Sequence, residues 1–269
     1  MLPPVDLAHI ALEARRLCED LAQAFADTYA NPQTRAEAES AANPQGKPDP
    51  GNLCQSLQGL FDALHREDPE TDPSCPDLEG YGPGFGSGPS APDLGALADH
   101  GFELLTRVSA LAGRLHLPQH ARRVEGLALP LACWVARRGG ELSHPAPAVN
   151  AAAAWANSLK APDELATLFG LLSEMIDALS PMLTQDRNAL DPNGPWRLLL
   201  LNRAIVATRS HRPALMELAF QSVVESLPTV APDFFREALG QMEALNYPPQ
   251  VRAVVQRYAD AWCARHTLH

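Results

Sequence analysis

The tripeptide Ala-Pro-Asp occurs at residues 91–93, 161–163 and 231–233, each copy followed by an apolar stripe of helical period. Counted from each alanine, offsets of 4, 7, 11 and 14 hold Gly95, Ala98, Phe102 and Leu105 in the first copy. They hold Leu165, Leu168, Leu172 and Met175 in the second, and Phe235, Ala238, Met242 and Leu245 in the third. In an α-helix of about 3.6 residues per turn those offsets return to one face. Proline is tolerated in a first helical turn, where its missing N–H has no intrahelical partner, and an aspartate there meets the positive end of the helix dipole. Each copy therefore predicts a helix opening.

Loop signals between the openings place helices near residues 92–116, 119–138, 146–160, 162–180, 195–210, 213–227, 232–246 and 248–265. The last has Val251, Val254, Val255, Tyr258 and Trp262 on one face and Arg252, Gln256, Arg257 and Asp260 on another. Two readings of the 70-residue spacing fit: a repeat of three helices, which would build an α-solenoid, or three helix starts of similar composition. Leu215, Leu218, Ala219, Ala231, Phe235 and Ala238 echo part of a tetratricopeptide spacing. Ser222 stands where that unit has an aromatic residue and no proline falls at 243, so the chain is not assigned to that family.

Upstream, Leu7, Ile10, Ala11, Ala14, Leu17, Cys18, Leu21 and Phe25 mark a strongly amphipathic helix over about 5–29, and Leu53, Leu57, Leu60, Phe61 and Leu64 mark a second at about 53–66. The stretch 31–52 is polar and proline-bearing and reads as a loop. Residues 67–79 hold six acids and no basic residue, and Gly80, Gly82, Gly84, Gly86 and Gly88 alternate just beyond. Such a segment buries too little apolar surface to offset the entropy of ordering it, and reads as a flexible linker. The expected fold is all-α, with antiparallel helical hairpins stacked as a bundle or short α-solenoid. The expected organisation is an acidic leader with two amphipathic helices at 1–66, a flexible acidic linker at 67–92 and an all-helical body at 93–269.

The net charge of −11 over 269 residues is confined to one part of the chain. Residues 1–100 carry 17 acids against 5 basic residues, whereas 101–269 carry 15 against 16. A neutral body behind an acidic leader disfavours general binding to a phosphate backbone, which requires net positive surface. The first helix carries Glu13, Glu19 and Asp20 on its polar face, the wrong sign for anionic lipid. The N-terminus lacks the basic and apolar regions of a secretory signal, and five scattered cysteines with no Cys-x-x-Cys read as reduced thiols, so a cytoplasmic location is expected.

Catalytic and metal signatures are sparse. There is no phosphate-binding loop, zincin helix or nucleophile elbow, and the alternating glycines place Phe85 where a dinucleotide fingerprint needs its third glycine. Three histidine groupings have partial ligand spacing: Glu141 with His144, His116 with His120, and Cys263 with His266 and His269. The first reads mainly as a loop contact, the second as capping or exposed residues, and the third spreads around a chain end. No cofactor is expected. The helix at 195–210 is apolar round most of its circumference yet contains Asn202 and Arg203. A buried guanidinium is costly unless paired, so Arg203 is expected to pair with an acid such as Glu174 or Asp177 or to reach solvent. In the functional reading Trp196, Arg203, Arg209 and His211 line a groove for an anionic or peptide partner. The four tryptophans, Trp134, Trp155, Trp196 and Trp262, are expected in core positions. The Arg122-Arg123 and Arg137-Arg138 doublets are candidates for contact with the 67–79 acids.

These features favour a non-enzymatic helical scaffold or adaptor for a protein partner. The second reading is a ligand-binding protein or enzyme with an anion-accepting pocket between helices, whose side chains would leave no local motif.

Overall fold

Prolines stand at the first helical position of six helices in the computed structural model, which describes residues 2–30, 50–67, 93–184 and 191–263. Every regular element among these residues is an α-helix. In chain order they are α1 (Leu7–Ala30), α2 (Pro50–Arg66), α3 (Leu94–Arg114), α4 (Pro118–Gly126), α5 (Ala128–Arg137), α6 (Ala146–Ser158), α7 (Pro162–Asp177), α8 (Pro195–Arg209), α9 (Pro213–Ser226), α10 (Ala231–Ala244) and α11 (Pro249–Cys263). The fold is all-α, with neighbouring helices packed on one another. The linker expected at 67–92 lies almost entirely outside the described residues, as does most of the loop expected at 31–52.

Two boundaries differ from the sequence reading. The helix expected at 119–138 is two helices, broken at Leu127. Pro130 is the cause: in a continuous helix its ring would collide with the carbonyl of Gly126 and its nitrogen could not donate to it. The second helix begins at Pro50, inside the stretch read as loop, because a proline at the first helical position ends nothing.

The chain divides into two compact units, Pro3–Ala151 and Ala152–His269, with the boundary inside α6. In the first, α1 packs on α2, α2 on α3, and α3 on α4 and α5. The stripes read from sequence are the buried faces: Leu7, Ile10, Ala14, Leu17 and Leu21 on α1, and Leu53, Leu57, Leu60, Phe61 and Leu64 on α2. Burying each leucine or phenylalanine stabilises by about 1.5–3 kcal/mol, so the two leader helices contribute to a core shared with α3, α4 and α5. At Gly101 of α3 a Cβ would lie 2.9 Å from a methyl of Leu60 and 3.0 Å from one of Leu131, so the missing side chain lets α2 and α5 approach closely. Arg123 of α4 pairs with Glu13 of α1, and His120 Nε2 lies 3.3 Å from Asp20 Oδ2. The acids at 68–79 expected to meet such arginines lie outside the described residues.

α5 ends in a Schellman turn. Gly140 N–H donates to the Val135 carbonyl and Gly139 N–H to that of Ala136, both at 3.0 Å, with Gly139 at φ 74°. His116, His211 and Asn246 occupy the same left-handed conformation after α3, α8 and α10.

In the second unit α8 packs against both α7 and α9, and α11 against both α9 and α10. Phe220, buried on α9, meets Phe235 of α10 and Tyr258 of α11 edge-on, each with ring centroids 5.1 Å apart. The three Ala-Pro-Asp copies do not share one register. Asp93 is the N-cap of α3, accepting from Gly95 N–H at 2.9 Å, whereas Asp163 and Asp233 are the second and third residues of α7 and α10. The stripe buries all four positions in α3 and in α7, but the third copy leaves Leu245 63% exposed, because α10 ends at Ala244. Three different roles for one aspartate fit helix starts of similar composition better than a uniform repeat.

Candidate functional site

α8 lies between α7 and α9 and buries Trp196, Leu199, Leu200, Ala204, Val206, Ala207 and Thr208, so it is the central helix of its neighbourhood. Arg203 leaves this apolar cylinder half-buried. Its Nε donates to Ser173 Oγ of α7 at 2.8 Å, and one terminal nitrogen donates to Ser222 Oγ of α9 at 3.1 Å. The guanidinium carbon sits 4.5 Å from the centre of the Phe169 ring. Each serine is set for this by its own helix. Ser173 Oγ donates to the Phe169 carbonyl at 2.9 Å and Ser222 Oγ to the Leu218 carbonyl at 3.0 Å, leaving oxygen lone pairs for the guanidinium.

The expected acidic partner is not the one found. Among the described residues no carboxylate lies within ion-pair distance of Arg203, and its hydrogen bonds go to the hydroxyls of Ser173 and Ser222. Burial pushes the Arg203 pKa down, and the Asp177 charge acts against that from longer range. Of the five N–H donors on a guanidinium, two are engaged by neutral hydroxyls. The others can receive a carboxylate or phosphate oxygen, and the partly desolvated charge makes such a contact stronger than on open surface. Leu218, one turn before Ser222 on α9, is 58% exposed.

The remaining residues expected in a groove are dispersed along α8. Trp196 is 9% exposed and lies two helical turns before Arg203, about 10 Å along the axis. Arg209 is committed elsewhere, donating to the carbonyls of Ala156 at 2.5 Å and Leu159 at 2.7 Å, so it closes the C-terminal end of α6. His211 takes φ 56° just past the end of α8 and packs edge-on against Tyr247, with ring centroids 5.4 Å apart. The structure thus gathers Phe169, Ser173, Ser222 and Arg203, and does not bring Trp196, Arg209 and His211 to them. Sequence reasoning missed Phe169 and both serines; the one available signal was Ser222 at a position where an aromatic residue was expected.

The histidine groupings resolve separately. His144 contacts Asp99, His116 is the exposed left-handed residue after α3, and His120 meets Asp20. His266 and His269 lie outside the described residues, and no group of three metal-ligating side chains occurs among the described ones. Trp134 is buried with Arg138 over its ring, while Trp155 and Trp262 are half-buried. A shallow open cleft between α10 and α11, lined by Met242, Glu243, Pro249 and Arg252 among others, shares no residue with the Arg203 cluster. Arg252 is already bonded to the Tyr247 carbonyl and Asn246 Oδ1, both at 2.6 Å. No helix among the described residues is long and apolar enough to cross a membrane. Comparison with models of protein families, with curated proteins and with solved structures finds no match.

Proposed function

We propose that the protein is a non-enzymatic helical scaffold or adaptor that receives an acidic segment of a protein partner on the α7–α8–α9 face. The observation that carries this reading is the Arg203 guanidinium, held in place by two serine hydroxyls over an aromatic ring and without an ion-paired carboxylate among the described residues. A preorganised cation loses little further side-chain entropy on meeting an acceptor. The exposed Leu218 supplies an adjacent apolar contact, so the preferred segment pairs an acidic residue with an apolar one. Membrane and nucleic-acid partners are disfavoured by the charge distribution along the chain.

The test is an immobilised peptide array of acidic and apolar residues in varied order, probed with the full chain and with Arg203→Gln. Binding that falls at least tenfold in the variant, with the helical circular dichroism retained, supports the reading. Equal binding by both proteins, or none by either, overturns it. The second reading, an anion-accepting site for a small molecule, draws on the same guanidinium. It predicts a rise in thermal midpoint with small dicarboxylates or phosphates that disappears in Arg203→Gln.

A further inference from the structure

We propose that Cys18 and Cys54 form an oxidisable thiol pair that closes to a disulfide and staples α1 to α2. The two residues are 36 positions apart in the chain and meet where the apolar stripes of these helices pack. Cys18 continues the buried stripe of α1 beside Leu17 and Leu21, and is 7% exposed. Cys54 follows Leu53 at the edge of the α2 stripe and is half-buried. Its Sγ lies 3.9 Å from the Cys18 carbonyl oxygen, so its thiol reaches the main chain of Cys18 itself. The neighbouring Cys54 side chain and burial both push the Cys18 thiol up, so Cys18 is the poorer first nucleophile.

The roles follow from exposure. With a peroxide as oxidant, the Cys54 thiolate attacks one peroxide oxygen, the O–O bond breaks, and Cys54 becomes a sulfenic acid as the other oxygen leaves as water or alcohol. Cys18 then gives up its proton, its sulfur attacks the Cys54 sulfur, and the sulfenic oxygen departs as water. Two thiols are oxidised by two electrons and one peroxide is reduced. The other described cysteines are placed differently: Cys133 is buried on α5, and the Cys263 thiol donates to the Pro232 carbonyl at 3.3 Å.

The product ties α1 to α2 across residues 31–49. Cross-linking positions this far apart removes conformations from the unfolded chain, so the oxidised protein is expected to melt roughly 5–10 °C higher than the reduced one.

The experiment treats the reduced full-length chain with a small molar excess of hydrogen peroxide, blocks remaining thiols, and maps the product by intact mass and non-reducing digestion. The expected result is a loss of two hydrogen atoms, a Cys18–Cys54 linked peptide, reversal by a reductant, and the same product from Cys75→Ser. Cys54→Ser and, separately, Cys18→Ala lose both the link and the rise in melting temperature. Cys54 joined instead to Cys75, Cys54 carried on to sulfinic acid without a link, or both thiols still reduced would each overturn the proposal.

Discussion

His144 meets the Asp99 carboxylate twice: its main-chain N–H donates to Oδ1 at 3.0 Å, and its ring Nδ1 lies 2.8 Å from Oδ2. The carboxylate of α3 thereby fixes the turn that follows α5. The ring is 81% exposed, so its share is that of a surface contact, about 0–1 kcal/mol. The main-chain bond to a charged acceptor is worth about 1.5–3 kcal/mol. Asp99→Ala, which loses both, should lower stability by about 1–3 kcal/mol, and His144→Ala, which keeps the main-chain bond, by less than about 1 kcal/mol. Urea unfolding of the two variants measures the difference; equal losses would show that the ring carries the contact.

The same turn depends on Gly95. A Cβ there would lie 2.3 Å from the Glu141 carbonyl oxygen, a main-chain atom that cannot rotate away. Gly95→Ala should therefore destabilise by more than about 2 kcal/mol despite the better helix propensity of alanine. Gly113→Ala, in the same helix with open space around the new methyl, should stabilise by about 0.4–1 kcal/mol. Thermal midpoints moving in opposite directions would confirm the contrast.

Arg209 closes α6 by donating to two carbonyls at the helix end. These are charge-assisted bonds to acceptors that otherwise lack an intrahelical donor. Arg209→Ala should cost about 2–4 kcal/mol, and Arg209→Lys should recover less than half because an ammonium cannot bridge both oxygens with a fixed fork. If lysine restores full stability by urea titration, the bidentate geometry is unimportant.

Tyr258 makes stability depend on alkaline pH. Burial first, and then its hydrogen bond to Glu217 at 3.0 Å, push its phenol up from 10.0 to about 12. A phenol is neutral when protonated, so between these two values the unfolded chain gives up a proton that the folded chain keeps. Stability is then full below pH 10 and declines as pH rises toward 12. Urea midpoints at pH 9, 10 and 11 should fall progressively, and the fall should be shallower in Tyr258→Phe. It should not vanish there, because burial pushes the phenol of Tyr247 up as well.

Helix periodicity and proline placement are properties of short stretches, and they were legible. The stripes at Leu7–Leu21 and Leu53–Leu64 are the buried faces of α1 and α2, and Pro118, Pro162, Pro195, Pro213 and Pro249 each open a helix. The break at Leu127 was not read: Pro130 forbids the bond to Gly126, but an uninterrupted apolar run led to one helix being expected over 119–138. The site was read only in part. Arg203 stood out as a charge within an apolar helix, whereas its hydroxyl partners, 30 positions before it and 19 after it, carried no signal of their own.

By itself the sequence determined that the chain is helical, where most helices begin and which faces α1, α2, α3 and α7 bury, because these depend on dihedral preferences and on apolar spacing within a few turns. Only the tertiary structure decided which buried face meets which. Packing sets α1 and α2 in one unit with α3, α4 and α5, places Cys54 beside Cys18, gives Arg203 two serines in place of an acid, and commits Arg209 to the end of α6. Apolar stripes of similar composition are nearly interchangeable as partners, so the choice rests on shape complementarity along whole helices, and no local pattern in the chain encodes it.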